Sequence, residues 1–308
     1  GSAMRASLLA NQVLDLTKLV REQVAAEASL REAATQRISA VVRLALPHAE
    51  LVTFGSSVTG LMLPNSDLDL IIFHNAHKRQ ALSTVPKKLR AVERRLIQTQ
   101  VCCMQTRPLV LAHAKVPILK FRERSSGVHV DISVNQDNGL RNTSSLWERL
   151  QEHAHLSNLI LVVKAYLREN GWHDRSTGGV GSYMAYMMAL QAASRYGQSA
   201  SHPGELLLAF LHDFGAPGAI AQHRLRGLLS DERLGAVERS LEIEKGFRAT
   251  ADQLAARGCL SALLARWPEG GTLSNVDELS AVLQIPISSR RNDELSSPFR
   301  ERKKKPSP

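Results

Sequence analysis

The chain has 308 residues, 44% of them hydrophobic, with three cysteines and a formal net charge of +10. That length can bury one large core or two modest ones, with two favoured, and the basic balance points to a polyanionic partner, nucleic acid or an acidic membrane surface. The lack of any run of about 18 apolar residues excludes a membrane-spanning helix, and an odd cysteine count without CxxC spacing excludes a disulfide framework and a zinc finger and fits a reducing compartment.

Gly1-Ser2-Ala3-Met4 reads as a protease-cleavage remnant ahead of an internal start, so a targeting signal, organellar ones included, is expected to be missing from this end. From Ser7 to about Leu46, Leu9, Val13, Leu16, Val20, Val24 and Leu30 recur at mostly helical spacing without an internal proline, which predicts one or two long amphipathic helices. Short β-rich runs follow at Leu51–Phe54, Asp67–Phe73, Val116–Phe121 and Val128–Val134, separated by Gly, Pro, Asn and Ser. A helix near Lys87–Gln98 carries Leu89, Val92 and Leu96 on one face and Lys87, Lys88, Arg90, Arg94 and Arg95 as a basic surface, either solvated or in contact with RNA. After Trp147 the β signals fade and helical patterns resume at about Leu156–Glu169, Gly181–Arg195, Glu205–Phe214 and Leu234–Ala265. From Ile287 onward, basic residues among Ser and Pro cannot bury a core, so the tail is expected to be disordered.

In the run Asp67-Leu68-Asp69-Leu70-Ile71-Ile72-Phe73, alternate side chains share a face, so Asp67 and Asp69 are expected to point the same way from one strand. Two carboxylates side by side repel one another unless a divalent cation lies between them, and Mg²⁺ takes carboxylate oxygens together with substrate phosphate. In Val128-His129-Val130-Asp131-Ile132-Ser133-Val134 the apolar residues alternate, which sets Asp131 on the opposite face with His129 and Ser133. Three carboxylates from neighbouring strands suit two metal ions, one serving an attacking hydroxyl and one the triphosphate. Gly55-Ser56, placed ahead of them, offers close backbone approach to phosphate and a hydroxyl donor. Gly178-Gly179-Val180-Gly181 is not a P-loop, since no Gly-Lys-Ser/Thr follows, and reads as a tight turn leading into the next helix. His153 and His155 have no cysteine partner nearby and read as solvated rather than zinc-binding.

These residues resemble the polymerase β-like nucleotidyltransferase superfamily, in the branch of nuclear RNA-surveillance poly(A) polymerases and terminal uridylyltransferases. The resemblance runs from about Leu51 to Phe214 and rests on FGSSVTGLMLPNSDLDL, VPILKF, VDISVNQDNGLRNT and TGGVGSYMAYMM. It implies an α+β fold: a catalytic domain with a mixed sheet and helices, an all-helical domain, and the nucleotide in a cleft between them. The corresponding boundaries are 1–46 for N-terminal helices packing on the helical domain, 47–146 for the catalytic domain, 147–286 for the helical domain and 287–308 for the basic tail. The resemblance further implies that Asp67, Asp69 and Asp131 are the catalytic metal ligands and that Gly55 and Ser56 hold the triphosphate. By the same match Asn142, with Thr143 beside it, reads the ribose hydroxyl. Lys164 and Arg168, one helical turn apart, bind the triphosphate, Arg168 standing where the family has a second lysine. Ser182 contacts phosphate and Tyr183 stacks on the base.

The activity so implied is template-independent addition of nucleotides from NTP to RNA 3′ ends with two Mg²⁺ or Mn²⁺ ions. Poly(A) polymerase is the first reading, because DISVNQDNG and TGGVGSY look closer to that branch, and terminal uridylyltransferase is the second. An inactive RNA-binding scaffold would be expected to have lost a metal carboxylate, and all three are present. A small-molecule nucleotidyltransferase shares Gly-Ser and Asp-x-Asp but not the later matches. Expected partners are the RNA 3′ end, NTP and an RNA-binding protein, since no RNP-like aromatic stretch is present; no membrane is expected. Location is expected to be intracellular, nucleus ahead of cytoplasm. The sequence departs from the family after Phe214, where no Asp-Pro base-reading loop occurs.

Overall fold

The computed structural model of the chain describes residues 2–74, 84–114, 116–136, 138–220, 237–268 and 271–284, without the side chains of 2–3, 138–140 and 142. The described residues divide into two units, one drawn from 2–25, 59–64 and 143–284, the other from 26–58 and 65–142. The tail expected at 287–308 lies outside the described residues.

The second unit is built on a five-stranded mixed sheet of β1 (Glu50–Thr53), β2 (Leu68–Phe73), β3 (Leu109–Leu111), β4 (Ile118–Arg122) and β5 (His129–Val134), in the order β1-β2-β5-β4-β3. Only the β2–β5 pair is parallel, while β1–β2, β4–β5 and β3–β4 are antiparallel. One face of the sheet carries Leu68, Leu70, Ile72, Leu119, Phe121, Val130, Ile132 and Val134, all buried. Period-two alternation sends the charged residues of the same strands to the other face. The apolar face is covered by α2 (Ala28–Ala45) through Ile38, Val41 and Val42, and by α4 (Val85–Gln98) through Val85, Leu89, Val92 and Leu96. Burying such stripes is worth roughly 1.5–3 kcal/mol per large aliphatic side chain. The basic residues Lys87, Arg90, Arg94 and Arg95 of α4 are exposed.

The expectation that residues 1–46 pack together on the helical domain is corrected here. Only α1 (Ser2–Ala26) joins that unit, burying Leu9, Val13, Leu16, Leu19 and Val20, whereas α2 belongs to the sheet. The break falls at Glu27, a single turn residue between the two helices. The catalytic boundary 47–146 is also interrupted: Leu61 and Leu63 are buried in the helical core, so residues 59–64 go with the other unit.

The helical unit further contains α6 (Leu156–Glu169), α7 (Ser182–Tyr196), α8 (Pro203–Phe214), α9 (Ser240–Arg257) and α10 (Val276–Val282). Helices α3 (Ser56–Thr59) and α5 (Asn138–Glu152) each contain a point where the chain passes from one unit to the other. The helical core is an aromatic cluster in which Trp172 stands edge-on to Tyr166 at 5.8 Å and Phe247 contacts Trp172, Tyr166 and Phe210. The expected helix Leu234–Ala265 is shorter: α9 ends at Arg257, where Gly258 turns left-handed at φ 65°. Three free cysteines are buried, Cys102 and Cys103 in the sheet unit and Cys259 in the helical one.

Candidate active site

The parallel register of β2 and β5 places Asp69 opposite Asp131, with their strand neighbours Leu68 and Val130 paired beneath in the core. In-register residues of adjacent strands project to the same face, so the two carboxylates are cross-strand neighbours on the polar side of the sheet. Asp67 does not lie in the strand as expected; it is exposed and sits one residue before β2 begins at Leu68. Its position is thus set by the turn that precedes it rather than by the ladder. On the other side of Asp131, β4 brings Lys120 into direct register, and Lys120 Nζ forms a salt bridge to Asp131 Oδ2.

Gly55 closes this group. It has φ +70°, a left-handed conformation that suits glycine, and a Cβ built there would stand 3.1 Å from Asp69 Oδ2. The Phe54 N–H donates to the Asp69 carbonyl at 3.2 Å, which ties the Gly-Ser turn to the strand bearing the carboxylate. Ser56, nearly buried, opens α3 immediately afterwards. Gly55, Ser56, Asp67, Asp69 and Asp131 all belong to the sheet unit.

Burial pushes the Asp131 carboxyl above its usual range; Lys120 opposes this and Asp67 adds to it. Burial lowers His129, while Asp67 and Asp131 both pull it upward and Arg122 and Lys120 push it down. Asp67 and Asp131 are therefore close enough to act on each other and on one histidine. Among the described residues no group of three or more His, Cys, Asp or Glu side chains closes into a ready-made metal cage. The donor set still fits a hard divalent ion: adjacent carboxylate oxygens repel one another, and Mg²⁺ is usually held by one or two carboxylates plus substrate phosphate and water.

In the helical unit, α6 is buried nearly all round, and Lys164 and Arg168 lie on its half-buried polar stripe. Lys164 Nζ donates to the Leu61 carbonyl at 2.5 Å and to Tyr186 Oη at 3.4 Å; Arg168 Nη1 donates to the Pro64 carbonyl at 2.9 Å. Tyr186 is one helical turn beyond Ser182 and Tyr183 on α7, so the structure groups these residues on two adjacent helices. Ser182 is exposed at the first position of the helix, where N–H groups lack intrahelical acceptors. Tyr183 is half-buried against the core. The glycine run before it forms the expected tight turn: a Cβ on Gly179 would meet the Trp172 carbonyl oxygen at 2.2 Å. Thr143 is buried in α5, and the side chain of Asn142 lies outside the described residues. Of the segment after Phe214, residues 221–236 lie outside them as well.

Two neighbours of the expected site residues carry no sequence signal of their own. Lys120 appears in VPILKF as one cation in a β-run, and its pairing with Asp131 emerges only once the hairpin register is fixed. Tyr186, placed over Lys164 with the Nζ 5.5 Å from its ring centroid, was hidden in an apolar helix face.

Residues 9–147 match the family described as poly(A) RNA polymerase, mitochondrial-like, central palm domain. The chain is 33% identical over 180 residues to poly(A) RNA polymerase CID14 of Cryptococcus neoformans, covering 55% of this chain and 22% of that protein. It is 30% identical over 157 residues to poly(A) RNA polymerase protein 2 of Saccharomyces cerevisiae, covering 51% and 26% respectively. Its fold is similar to that of the GLD-2/RNP-8 complex structure, with a TM-score of 0.67 at 18% identity, covering 84% of this chain and 98% of that one. Paired strand carboxylates stand beside a Gly-Ser turn on a mixed sheet, in a chain that also carries a helical unit. The chain is thus similar to poly(A) RNA polymerases, the family match covering just under half of it. It spans about a quarter of the length of these two curated relatives.

Proposed function

We propose that the chain catalyses template-independent transfer of nucleotides from NTP to RNA 3′ ends, with ATP the preferred substrate. The observation that carries this reading is the Asp69–Asp131 register pair with Gly55 against the Asp69 carboxylate. Asp67, Asp69 and Asp131 would hold Mg²⁺ or Mn²⁺, two ions, which when bound supply activation of the attacking hydroxyl and neutralisation of the leaving pyrophosphate.

The protein's own groups do the positioning. Gly55 allows phosphate oxygens to approach the backbone, and the Ser56 hydroxyl and N–H donate to them. Lys164 and Arg168 are the proposed cations for the triphosphate, each already oriented by a backbone carbonyl. Ser182, at the start of a fifteen-residue helix, adds a hydroxyl donor where the helix dipole favours an anion. Tyr183 supplies a ring for the base, and Asn142 with Thr143 the ribose contact. Lys120 holds the Asp131 carboxylate on the side away from Asp69, keeping its other oxygen for the acceptor side.

RNA affinity is assigned to basic surfaces, including the exposed cations of α4, and to a protein partner. An intracellular, reducing location fits three buried free cysteines. The reading is tested by incubating the protein and an RNA primer with each ribonucleotide separately, alongside Asp131→Ala. Extension with ATP that the variant loses supports it. Preference for UTP assigns uridylyl transfer instead, and activity unchanged in Asp131→Ala under saturating Mg²⁺ overturns the third ligand.

A further inference from the structure

A buried ion pair outside the carboxylate group has no part in the chemistry above. Glu27, the single residue between α1 and α2, and Arg31, one turn into α2, have side chains only 8% exposed each. Arg31 Nε and Nη2 both donate to Glu27 Oε2, at 3.2 and 2.9 Å. The pair then reaches across to one short turn. The Asn65 N–H donates to Glu27 Oε1 at 3.3 Å, and Arg31 Nη2 donates to the Ser66 carbonyl at 2.8 Å. Arg31 Nη1 is buried without a hydrogen-bond partner among the described residues.

What the pair grips matters. Asn65 has φ +58°, a left-handed conformation uncommon outside glycine but tolerated by asparagine. The Ser66 carbonyl belongs to the same peptide plane as the Asp67 N–H, so fixing it fixes the orientation from which Asp67 departs. Asp67 precedes the first ladder residue of β2 and takes no alignment from sheet pairing. Glu27 and Asn65 both lie within two residues of points where the chain enters the sheet unit, at Ala26 and Asn65.

Energetics argue against a purely stabilising role. Removing two charges from water costs several kcal/mol per ion, and well-packed apolar replacements of such pairs are often neutral or stabilising. The Nη1, which has no partner among the described residues, adds to that cost. An ion pair does what an apolar pair cannot: it binds one N–H and one C=O of consecutive residues in a single arrangement.

We propose that Glu27 and Arg31 are positioning residues for Asp67, and that they set the divalent-cation affinity of the site by holding the Asn65-Ser66 turn. The inference rests on the reading of Asp67 as a metal ligand. Removing groups that orient metal ligands typically costs about 10- to 100-fold in affinity.

The test measures Mn²⁺ binding to the full chain by electron paramagnetic resonance of the free ion, with thermal stability recorded in parallel. The variants are the isosteric Glu27→Gln, Arg31→Met, the double Glu27→Leu/Arg31→Met and, as a control, Glu123→Gln. Glu123 is a fully buried carboxylate in the same unit whose partners are Arg37 and Ser126. Expected are weaker Mn²⁺ binding in Glu27→Gln and in Arg31→Met, and a double variant that regains thermal stability without regaining Mn²⁺ affinity. Glu123→Gln should lose stability and bind Mn²⁺ as the wild type does. A Glu27→Gln or double variant that binds Mn²⁺ as tightly as the wild type overturns the inference. Asp67→Asn separates the two layers: if it leaves Mn²⁺ binding unchanged, the reading of Asp67 itself fails, whatever the ion pair does.

Discussion

Lys120 stands directly across the antiparallel β4–β5 ladder from Asp131 and closes a salt bridge on its Oδ2, each side chain about one quarter exposed. The lysine is thus the fixed counter-charge of a group of carboxylates. Lys120→Met should lower the melting temperature in EDTA, by an amount corresponding to roughly 1 kcal/mol for a partly exposed pair. Saturating Mg²⁺ should recover much of that loss, because a second cation can take over the neutralisation. Differential scanning fluorimetry with and without the metal checks this; equal losses in both conditions would place Lys120 in packing alone.

Gly55 and Gly60 form a natural pair of controls. Both have left-handed backbones, at φ 70° and 71°, but a Cβ at Gly55 meets Asp69 Oδ2 at 3.1 Å whereas nothing lies within 4 Å at Gly60. Alanine at either should cost about 1–2 kcal/mol of backbone strain. Only Gly55→Ala should also displace the carboxylate and reduce primer extension, by a factor on the order of ten or more. Equal activities in the two variants would detach Gly55 from the site.

Glu123 provides the pH dependence. Burial would push its carboxyl up, but Arg37 and the Ser126 hydroxyl and N–H outweigh burial and hold it below its usual range. A carboxylate depressed in the folded state contributes stability that is present above its unfolded value, about 4.3, and is lost as pH falls through the folded one. Glu123→Gln should therefore be less stable at neutral pH, by on the order of 3 kcal/mol. It should also show a flatter fall in stability below about pH 4.3 than the wild type does. Urea unfolding across that range measures both.

Lys164 is held by the Leu61 carbonyl and Tyr186 Oη. Lys164→Met should raise the KM for NTP by about 10- to 100-fold, the value of a hydrogen bond to a charged group, with a smaller change in kcat. Tyr186→Phe, which leaves the cation and the ring in place, should change KM much less. A Lys164→Met variant whose only defect is a lowered melting temperature would make the lysine a clasp on Leu61 rather than a phosphate ligand.

Much of the five-stranded sheet is written in local alternation. In Val128–Val134 every second residue is apolar, and that alone sets Asp131 on the polar face; the same pattern holds Leu68 and Leu70 beneath Asp69. What alternation cannot convey is register, so neither the Asp69–Asp131 pairing nor the place of Lys120 was legible. Asp67 reads as part of the strand because it continues the alternation, while the left-handed Asn65 that turns the chain just before it has no apolar signature. The separation of α1 from α2 was hidden for a related reason: both carry similar apolar stripes, and nothing local says which core each stripe meets. β3 is three residues long, too short to register as a run. The start of α5 at Asn138-Gly139 carries no periodic signal because its apolar contacts come late, at Leu146 and Leu150. Residues 59–64 join the helical core through Leu61 and Leu63 across a sequence gap of about eighty residues.

The aromatic cluster around Trp172 has a practical side. Trp147, Trp172 and Trp267 are the chain's three tryptophans, and all three belong to the helical unit. Intrinsic fluorescence therefore watches one half of the protein and is blind to the other. The buried thiols of Cys102 and Cys103 sit in the sheet unit and become open to a thiol reagent only when that unit unfolds. With Cys259 of the helical unit replaced by serine, fluorescence and thiol reactivity follow different halves, and whether they change together tells whether the half bearing the carboxylates can come apart while its companion stays folded.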